Sequence, residues 1–408
     1  MSRHPELLIP ASSLEVLKTA VIFGADAVYI GGEVFGLRAK AKNFSHDDMK
    51  EGIAFAHEHG VRVHVTVNIL AHNRDLEGVR EYLKELKELG PDALIIADPA
   101  IFEMAKEICP EIERHVSTQA NNTNYGTYQF WWKQGAKRVV SARELSLAEI
   151  KEIRANIPEE MEIESFIHGA MCISYSGRCL LSNYFTGRDA NQGACTHPCR
   201  WKYAVVEETR PGEYMPVYEN ERGTYIFNSK DLCMIEHIPE LIDAGIDSFK
   251  IEGRMKTALY VATVARTYRK AIDDYLEDPE LYRKNMPWYL DQISNCTYRQ
   301  FTTGFYFGRP DDEAQIYDSN TYVREYTYLG IIGGERDGMY RIEQRNKFSV
   351  GEMIELMKPN GDNIEVTVKK IVDEDGNEQE SAPHPKQVLY IDLGGHADQY
   401  DILRRKED

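Results

Sequence analysis

The chain has 408 residues and a formal net charge of −18. This charge argues against a protein that wraps nucleic acid nonspecifically, because phosphate binding relies on clustered Lys and Arg. The sequence contains no run of eighteen apolar residues, and its first residues lack a basic region followed by an apolar one, so we expect a soluble, cytoplasmic protein with no membrane partner.

Short apolar or β-branched runs alternate with amphipathic stretches through the first 170 residues, which is typical of βαβ units. The runs are ELLIPA, DAVYIGG, VRVHVTVN, DALIIADPA, RHVSTQA, KRVVSA and EIESFIHG. With the later SFKIEG they make eight, the number that closes a TIM barrel. We therefore predict an α/β fold with a TIM-barrel-like (β/α)8 domain over residues 1–275. TYIFNS at 224–229 is either a ninth strand or part of an inserted hairpin. The competing architecture is an open doubly wound sheet, but no GxGxxG follows a strand to support a dinucleotide site in such a sheet.

A long insertion at residues 170–247, between EIESFIHG and SFKIEG, carries five of the seven cysteines. Four thiolates at one point indicate zinc, an iron-sulfur cluster or a reactive thiol centre, because a reducing compartment does not keep structural disulfides. Loops after barrel strands form the catalytic face, so the insertion should bring these thiolates to the barrel mouth. The candidate ligands, spaced C-x6-C-x15-C-x3-C, are Cys172, Cys179, Cys195 and Cys199, with Cys233 following.

The rhythm changes after a predicted helix at 258–275. Residues 276–319 form a linker or helical segment in this interpretation, and residues 320–408 form a small antiparallel β-barrel, because alternating runs there are joined by turns such as PNGDN. Because this second domain has no cysteine, we expect its role to be binding or shielding rather than cysteine chemistry.

The motif E-x-F-x2-G-A-M-C-x4-G-x-C-L-L-S, from Glu164 to Ser182, resembles the signature of the collagenase-like peptidase family U32. The resemblance continues through YFTGRDANQGACTHPCRW, YIFNSKDLC, SFKIEGRMKTALYVATVARTYRKAID and NKFSVGE, and covers nearly the whole chain. It is strongest to members that hydroxylate the wobble uridine of tRNA in a prephenate-dependent reaction.

This resemblance implies a 4Fe-4S cluster held by Cys172, Cys179, Cys195 and Cys199, with Cys233 as an alternative fourth ligand. It also implies prephenate as co-substrate, a tRNA anticodon loop as partner, and a paired family member as a further partner. Zinc is the alternative metal, because four cysteines can simply pin a long loop.

Polar side chains near predicted strand ends are the candidates for chemistry and substrate binding. Three interpretations of His168 stay open: an acid or base, a neighbour of the cluster, or a hydrogen-bonded core histidine. Lys250 and Glu252 are the other catalytic candidates. Arginines pair well with a dicarboxylate, whereas amides after a strand read a uracil edge or cap the next helix. The predicted substrate-binding residues are Gln119, Asn121, Arg143, Arg178 and Arg254, with Asn122 and Arg38 as further members.

Three other functions stay open at this stage. Lys250 at a strand end, with Glu252 two residues on, is also typical of Schiff-base chemistry of the aldolase kind. A thiol-dependent peptidase needs a histidine base beside its cysteine, and His168 or His197 could serve as that base. A metal-dependent peptidase of the HExxH kind needs two histidines four residues apart, and HEHG does not fit that spacing. The third alternative is a non-catalytic RNA-binding or assembly subunit with a structural metal.

An RNA partner requires a local basic patch on this acidic chain. We predict one where the barrel mouth, the insertion and the terminal domain meet. Its members are Arg178, Arg188, Arg200, Lys202, Lys369, Lys370, Arg404 and Arg405.

Overall fold

The computed structural model describes residues 4–35, 43–172, 174–176, 178–188, 190, 195–200, 204–206, 214–216, 230–296, 300–308 and 326–407. Three predictions therefore lie outside the described residues: the strand or hairpin at 224–229, Arg38 and Lys202. The side chain of Arg200 lies outside them as well.

Eight parallel strands close into the predicted barrel. They are β1 (Glu6–Pro10), β2 (Ala27–Ile30), β3 (Arg62–Val67), β4 (Ala93–Ile96), β5 (Glu113–Val116), β6 (Arg138–Val140), β7 (Glu162–Ala170) and, after the insertion, β11 (Ser248–Ile251). Each strand pairs with the next along the chain, and β11 pairs with both β1 and β7, so the sheet has no free edge among these strands. All eight predicted strands are found, and the TIM-barrel prediction is confirmed.

Helices cover the outside of the barrel. They are α1 (Leu14–Ile22), α2 (His46–Glu58), α3 (Leu76–Leu89), α4 (Pro99–Ile108), α5 (Tyr125–Gln134) and α6 (Leu147–Ala155). Ser45 and Ser146 begin α2 and α6 with capping boxes, in which each hydroxyl accepts a backbone N–H three residues on. Gly90 and Gly135 end α3 and α5 with φ of 67° and 93°, a conformation that glycine adopts without steric cost. These signals fix where each helix stops and the next strand begins.

The insertion returns to the barrel as a strand beside β7. Its described elements are helix α7 (Leu181–Thr186), strands β8 (Ala204–Val206) and β9 (Tyr214–Pro216), and strand β10 (Asp231–Cys233). Strand β10 runs antiparallel to the end of β7, with Cys233 opposite His168, and β12 (Phe301–Thr302) adds to its other side. The insertion thus leaves and rejoins the barrel at one place on its rim.

Two long helices follow the barrel. Helix α8 (Ile238–Asp243) precedes β11, α9 (Ala258–Glu277) follows it, and α10 (Pro279–Ser294) lies in the segment that the sequence assigns to a linker or helix. Helix α9 is buried along most of its length. Pro287 stands inside α10, which continues through it. No helix in the described part of the chain is long and apolar enough to cross a membrane.

The terminal domain is one antiparallel sheet around its own core. Its strands are β13 (Tyr326–Arg336), β14 (Met339–Glu343), β15 (Met353–Met357), β16 (Ile364–Thr367), β17 (Lys370–Val372), β18 (Glu378–Gln379), β19 (Val388–Asp392) and β20 (Ile402–Lys406). They pair in the order β16-β15-β20-β13-β14-β19-β17-β18. The antiparallel β architecture predicted for this region is confirmed.

Buried groups join the terminal domain to the barrel domain. Met357 and Ile402 of the terminal sheet belong to the main hydrophobic core of the barrel. Arg266 of α9 is 2% exposed and donates hydrogen bonds to the Lys358 carbonyl at 2.8 Å, to Asn363 Oδ1 at 2.8 Å and to Gln292 Oε1 at 2.5 Å. The two domains therefore share one packed interface.

We predict that Arg266→Met lowers the free energy of unfolding by about 2–4 kcal/mol, because it leaves two buried acceptors and one partly buried acceptor without this donor. Urea unfolding followed by circular dichroism measures the change. The matched control is Arg283→Met on α10, where the side chain is 66% exposed beside Glu280, and it should stay within about 0.5 kcal/mol of the parent protein. Equal losses in the two variants would contradict this role for Arg266.

Candidate active site at the barrel mouth

An ion network fills the barrel below its mouth. Arg138 is 2% exposed, and its guanidinium contacts the carboxylates of Glu6, Glu162 and Glu164. Burial alone would raise the pKa of Glu6, but Arg138 beside it holds that pKa well below the ordinary value. Lys250 Nζ lies 2.5 Å from Glu164 Oε1. Each buried charge in this network has an opposite charge in contact.

Lys250 accordingly lies inside the barrel. Its side chain is 5% exposed, and its ammonium lies 4.4 Å from the ring centroid of Tyr29 as well as against Glu164. A Schiff-base lysine must be neutral and must reach the substrate. The Lys250 amine is instead held inside the barrel against the fully buried Glu164, so these contacts favour a structural role for Lys250 over the aldolase-like one.

Arg143 connects the barrel mouth to the first cysteine. It follows β6, donates to Glu252 Oε2 at 2.9 Å and to the Ala170 carbonyl at 3.1 Å, and lies 3.6 Å from Cys172 Sγ. Its guanidinium stacks 4.0 Å from the ring centroid of Phe166. Burial would lower the pKa of Arg143, but its interactions with Cys172 and Glu252 raise it, so the charge is kept. Three predicted site residues therefore meet here: Arg143, Glu252 and Cys172.

Two glycines make this arrangement possible. A side chain at Gly169 would meet the Glu252 carbonyl oxygen at 2.5 Å, and Gly169 has a φ of 105°. A side chain at Gly31 would meet Arg254 Nη2 at 2.0 Å. Arg254 is 5% exposed and donates to Thr66 Oγ1 at 3.2 Å and Asn43 Oδ1 at 2.6 Å. Because Gly169 and Gly31 have no side chain, Glu252 and Arg254 have room to lie where they do.

Buried donors around the mouth lack acceptors among the described residues. Gln119 is 1% exposed and Asn122 is fully buried, yet the amide nitrogens Nε2 and Nδ2 have no hydrogen-bond partner within the described ranges. The same holds for Arg143 Nε. A buried unpaired donor costs about 1–3 kcal/mol, so such groups are usually explained by a bound molecule or by function. All three follow neighbouring strands, β5 and β6, and all three suit a ligand that offers oxygen acceptors.

Asn121 ties the start of the insertion to the rim. It adopts the left-handed conformation with φ of 54°, donates to the Ser176 carbonyl at 3.0 Å, and accepts from Arg178 Nε at 2.8 Å. The helix cap predicted as an alternative for this region belongs to Asn124, whose side chain accepts from Thr127 N. Asn121 and Arg178 are therefore in contact, as a pair that orients the cysteine loop.

Two cysteine-bearing segments of the insertion are held together by hydroxyl groups. Ser182, just after Cys179, lies 2.9 Å from Thr196 Oγ1 and accepts from the Thr196 backbone N–H at 3.0 Å. Thr196 lies between Cys195 and the turn Pro198–Arg200 that contains Cys199. The four predicted ligands form no disulfide with the described cysteines; Cys172 and Cys195 are exposed, and Cys179 and Cys199 are partly buried. The ligand set itself stays a prediction.

Cys233 and His168 form a pair of a different kind, in which His168 is buried and Cys233 is partly exposed. They are opposite one another in the β7–β10 pairing, and both contact the Tyr268 hydroxyl, Cys233 Sγ at 3.7 Å and His168 Nδ1 at 3.3 Å. Burial raises the pKa of Cys233 to about 11 and lowers that of His168 to about 3. A thiolate–imidazolium peptidase pair needs the opposite shifts. His168 therefore fits the hydrogen-bonded core histidine among its three interpretations.

The prediction that Arg404 contributes to a basic patch is wrong. Arg404 is fully buried, contacts Glu355 and stacks 4.0 Å from the ring centroid of Tyr326. Arg405 pairs with Glu352 at 2.7 Å, and Lys370 pairs with Glu378 at 2.5 Å. The alternation in ILRRK suggests exposed charge, but acidic side chains on neighbouring strands neutralise it. Lys369 is exposed.

An exposed apolar patch lies in the insertion instead. Tyr184 is 81% exposed, Leu180 is 68% exposed, and Tyr175 and Phe185 are each 45% exposed. Tyr184 and Phe185 pack edge to face with centroids 5.1 Å apart. Arg178 and Arg188 in the same stretch are also exposed. We call this set the insertion patch: Tyr175, Arg178, Leu180, Tyr184, Phe185 and Arg188. Sequence reasoning noted its arginines but missed its aromatic side chains, whose signal was the pair of adjacent aromatic residues Tyr184 and Phe185.

A closed parallel barrel, with its polar groups gathered at the carboxyl ends of the strands, defines the TIM-barrel class of proteins. The chain belongs to Peptidase family U32: the family model matches residues 12–316, and a model of the U32 C-terminal domain matches residues 324–404. The family resemblance seen in the sequence is confirmed.

Curated relatives include two named for tRNA and one named for ribosomal RNA. The tRNA hydroxylation protein P1 of Bacillus subtilis is 43% identical over 395 residues, which cover 96% of this chain and 93% of that protein. The tRNA hydroxylation protein P of Escherichia coli is 40% identical and covers 95% and 93%. The 23S rRNA 5-hydroxycytidine synthase of Escherichia coli is 39% identical over 277 residues, covering 68% of this chain and 40% of that protein.

Burial of a neutral His168 predicts a pH-dependent stability. The pKa of His168 falls from an ordinary 6.5 to about 3, so between these values the unfolded chain binds a proton that the folded protein does not. The contribution of neutral His168 to the free energy of unfolding is complete above pH 6.5 and is lost as the pH falls towards 3. His168→Gln should therefore make the free energy of unfolding fall less steeply with acidification, by up to about 1.4 kcal/mol per pH unit. Urea midpoints between pH 7 and pH 4 measure the slope, and exposed His396→Gln is the control; parallel slopes for parent and His168→Gln would refute the assignment.

Proposed function

We propose that this protein is an enzyme that hydroxylates carbon 5 of the wobble uridine in tRNA, in a prephenate-dependent reaction that uses an iron-sulfur cluster. The names of the tRNA and rRNA relatives support RNA hydroxylation in general. The observation that carries the finer proposal is Arg143, which contacts Cys172 and whose buried Nε has no partner among the described residues.

The donor set of the insertion fits a 4Fe-4S cluster in its chemistry. Four cysteines lie in segments that Ser182, Thr196 and Arg143 hold near the barrel rim, and thiolates are the usual ligands of such clusters. We assign Cys172, Cys179, Cys195 and Cys199 as ligands. Cys233 is the weaker choice, because burial favours its protonated thiol. When bound, the cluster would supply electron transfer for a ring hydroxylation, which needs an oxidant.

Arg143 and Arg254 are the groups that we assign to prephenate. Both are almost buried, both are charged, and both are held in place by neighbours, so little side-chain freedom remains to be lost when a carboxylate binds. Arg143 Nε is the donor without a partner among the described residues, and it suits one carboxylate oxygen. A dicarboxylate bound here would lie beside Glu252 and Cys172.

Gln119 and Asn122 are the groups that we assign to the flipped base. A uracil offers two carbonyl oxygens, and both amides carry an unpaired N–H within the described part of the chain. Enzymes that modify bases in RNA read a splayed base by such edge contacts. Asn121 is occupied by Arg178 and Ser176, so we assign it to positioning the loop rather than to the base.

Proteolysis has less support from this geometry. The two histidines of HEHG lie at the carboxyl end of α2, where His57 contacts Asp92 and His59 contacts the Phe55 carbonyl, at the opposite end of the barrel from the mouth. Cys233 and His168 have pKa values that leave both groups neutral near pH 7. The alternative of a non-catalytic RNA-binding or assembly subunit with a structural metal predicts colourless protein with one zinc ion after anaerobic purification, whereas the redox enzyme should be brown.

A strain lacking this protein should lose 5-hydroxyuridine-derived modification at the wobble position of tRNA. Cys179→Ala should fail to restore it, because the cluster would lose a ligand. The matched control is Cys109→Ala, a buried thiol behind α4 that should restore modification. Mass spectrometry of digested tRNA measures the product. Full rescue by Cys179→Ala would refute a catalytic cluster, and unchanged tRNA in the deletion strain would refute the proposed function.

The insertion patch is the surface that we assign to the anticodon loop. Exposed aromatic rings stack on unpaired bases, and the neighbouring arginines meet phosphates. Removing residues 320–408 would not test this assignment cleanly, because Met357 and Ile402 are part of the barrel core and their loss would expose it. Single substitutions in the patch avoid that difficulty.

Tyr184→Ala should weaken tRNA binding about tenfold or more, since stacking of one base contributes about 1–3 kcal/mol. Fluorescence anisotropy with labelled tRNA at several salt concentrations measures the affinity and its salt slope, which should stay shallow because few phosphates are contacted. The matched control is Phe130→Ala on α5, an aromatic ring that is 51% exposed on the outside of the barrel. Equal affinities for Tyr184→Ala and the parent protein would remove the patch from the RNA-binding surface.

A further inference from the structure

Two histidines face each other inside the barrel, in a layer below the mouth. His64 on β3 and His115 on β5 are both fully buried, and their rings meet edge to face with centroids 4.8 Å apart. Thr66 and Ser117, two residues further along the same strands, lie nearer the mouth. Neither histidine takes part in the proposed hydroxylation site, so their presence needs a separate explanation.

Most of the ring nitrogens have no partner among the described residues. Both nitrogens of His64 and Nδ1 of His115 are buried and unpaired within that part of the chain. Burial lowers the pKa of both histidines well below the ordinary value, so each ring is neutral, with one N–H and one lone pair. A dry interior with free imidazole lone pairs is costly unless something binds there.

His115 is held in the orientation typical of a metal ligand. Its Nε2 lies 3.2 Å from Glu113 Oε2, which fixes Nε2 as the protonated nitrogen and leaves the lone pair on Nδ1. Metal-bound histidines commonly donate their other ring N–H to a carboxylate in this way. The tautomer of His115 therefore follows from its neighbour on the same strand.

Glu164 completes a set of three ligands. One ligand atom from each of His64, His115 and Glu164 lies within 4.8 Å of the others. Both Glu164 oxygens already contact a cation, Lys250 or Arg138, but each carboxylate oxygen keeps a second lone pair. Bonds of about 2.0–2.2 Å to a metal would require these atoms to move together by roughly 1 Å.

We propose that His64, His115 and Glu164 bind a divalent first-row transition metal ion inside the barrel. Two imidazoles and one carboxylate suit Zn²⁺, Fe²⁺ or Co²⁺ and discriminate against Ca²⁺ and Mg²⁺, which prefer oxygen ligands. This site is separate from the cysteines of the insertion, and it does not depend on the proposed function. Because all three side chains are buried, the ion enters as the chain folds.

Co²⁺ is the probe for this site. The full-length protein is produced in medium supplemented with Co²⁺ and purified without chelator, and bound metal is counted by mass spectrometry. His64→Phe and Glu164→Gln should each contain one equivalent of cobalt less than the parent protein. The cysteine segment is unchanged in these variants, so cobalt bound there cancels in the comparison. The matched control, exposed His396→Phe, should keep the full cobalt content.

X-ray absorption at the cobalt edge of the parent protein gives a second readout that does not rely on variants that fold. Imidazole scattering in the first shells supports the site. Cobalt bound by sulfur alone, or equal cobalt in the parent and both variants, would overturn it and leave buried water as the partner of the two histidines.

Discussion

The pairing of β11 with β7 is the constraint on which the rest of the molecule depends. These strands are separated by the whole insertion, yet Ser248 to Lys250 lie in register with Glu164 to Phe166, and this contact closes the barrel. Closure places Glu252, directly after β11, against Arg143 and the end of β7. Without it the mouth would have no fixed shape, and Cys172 would not lie beside a guanidinium.

Electrostatics inside the barrel reinforce that closure. Arg138 reaches Glu6 on the first strand and Glu164 on the seventh, and Lys250 on the last strand binds the same Glu164. Buried ion pairs of this kind are often neutral in net stability, but breaking one partner leaves an uncompensated charge that costs about 3–5 kcal/mol. The network therefore specifies which strands meet. Most of the free energy of folding comes from apolar side chains that are buried between the barrel strands and the surrounding helices.

The eight strands could be predicted because each is a short apolar run that a glycine or a turn introduces, as at Gly60 and Gly90. The cysteines could be singled out because thiol chemistry is visible in their spacing. The contact of Arg143 with Glu252 could not, since it depends on an irregular register between Lys250 and Ile251. Burial of Arg404 was equally invisible, because its partner Glu355 lies on a strand far away in the sequence. In the sequence, His64 and His115 are only single positions in the strand runs VRVHVTV and RHVST. They lie close together inside the barrel because the barrel closes.

The return of the insertion beside its own starting point has a consequence for how this architecture can vary. Asp231 pairs with Ala170, so the chain from 171 to 230 is a loop whose two ends are neighbours in one sheet. The entropy of closing such a loop rises only with the logarithm of its length. Segments of very different size and composition can therefore be exchanged there without altering the barrel.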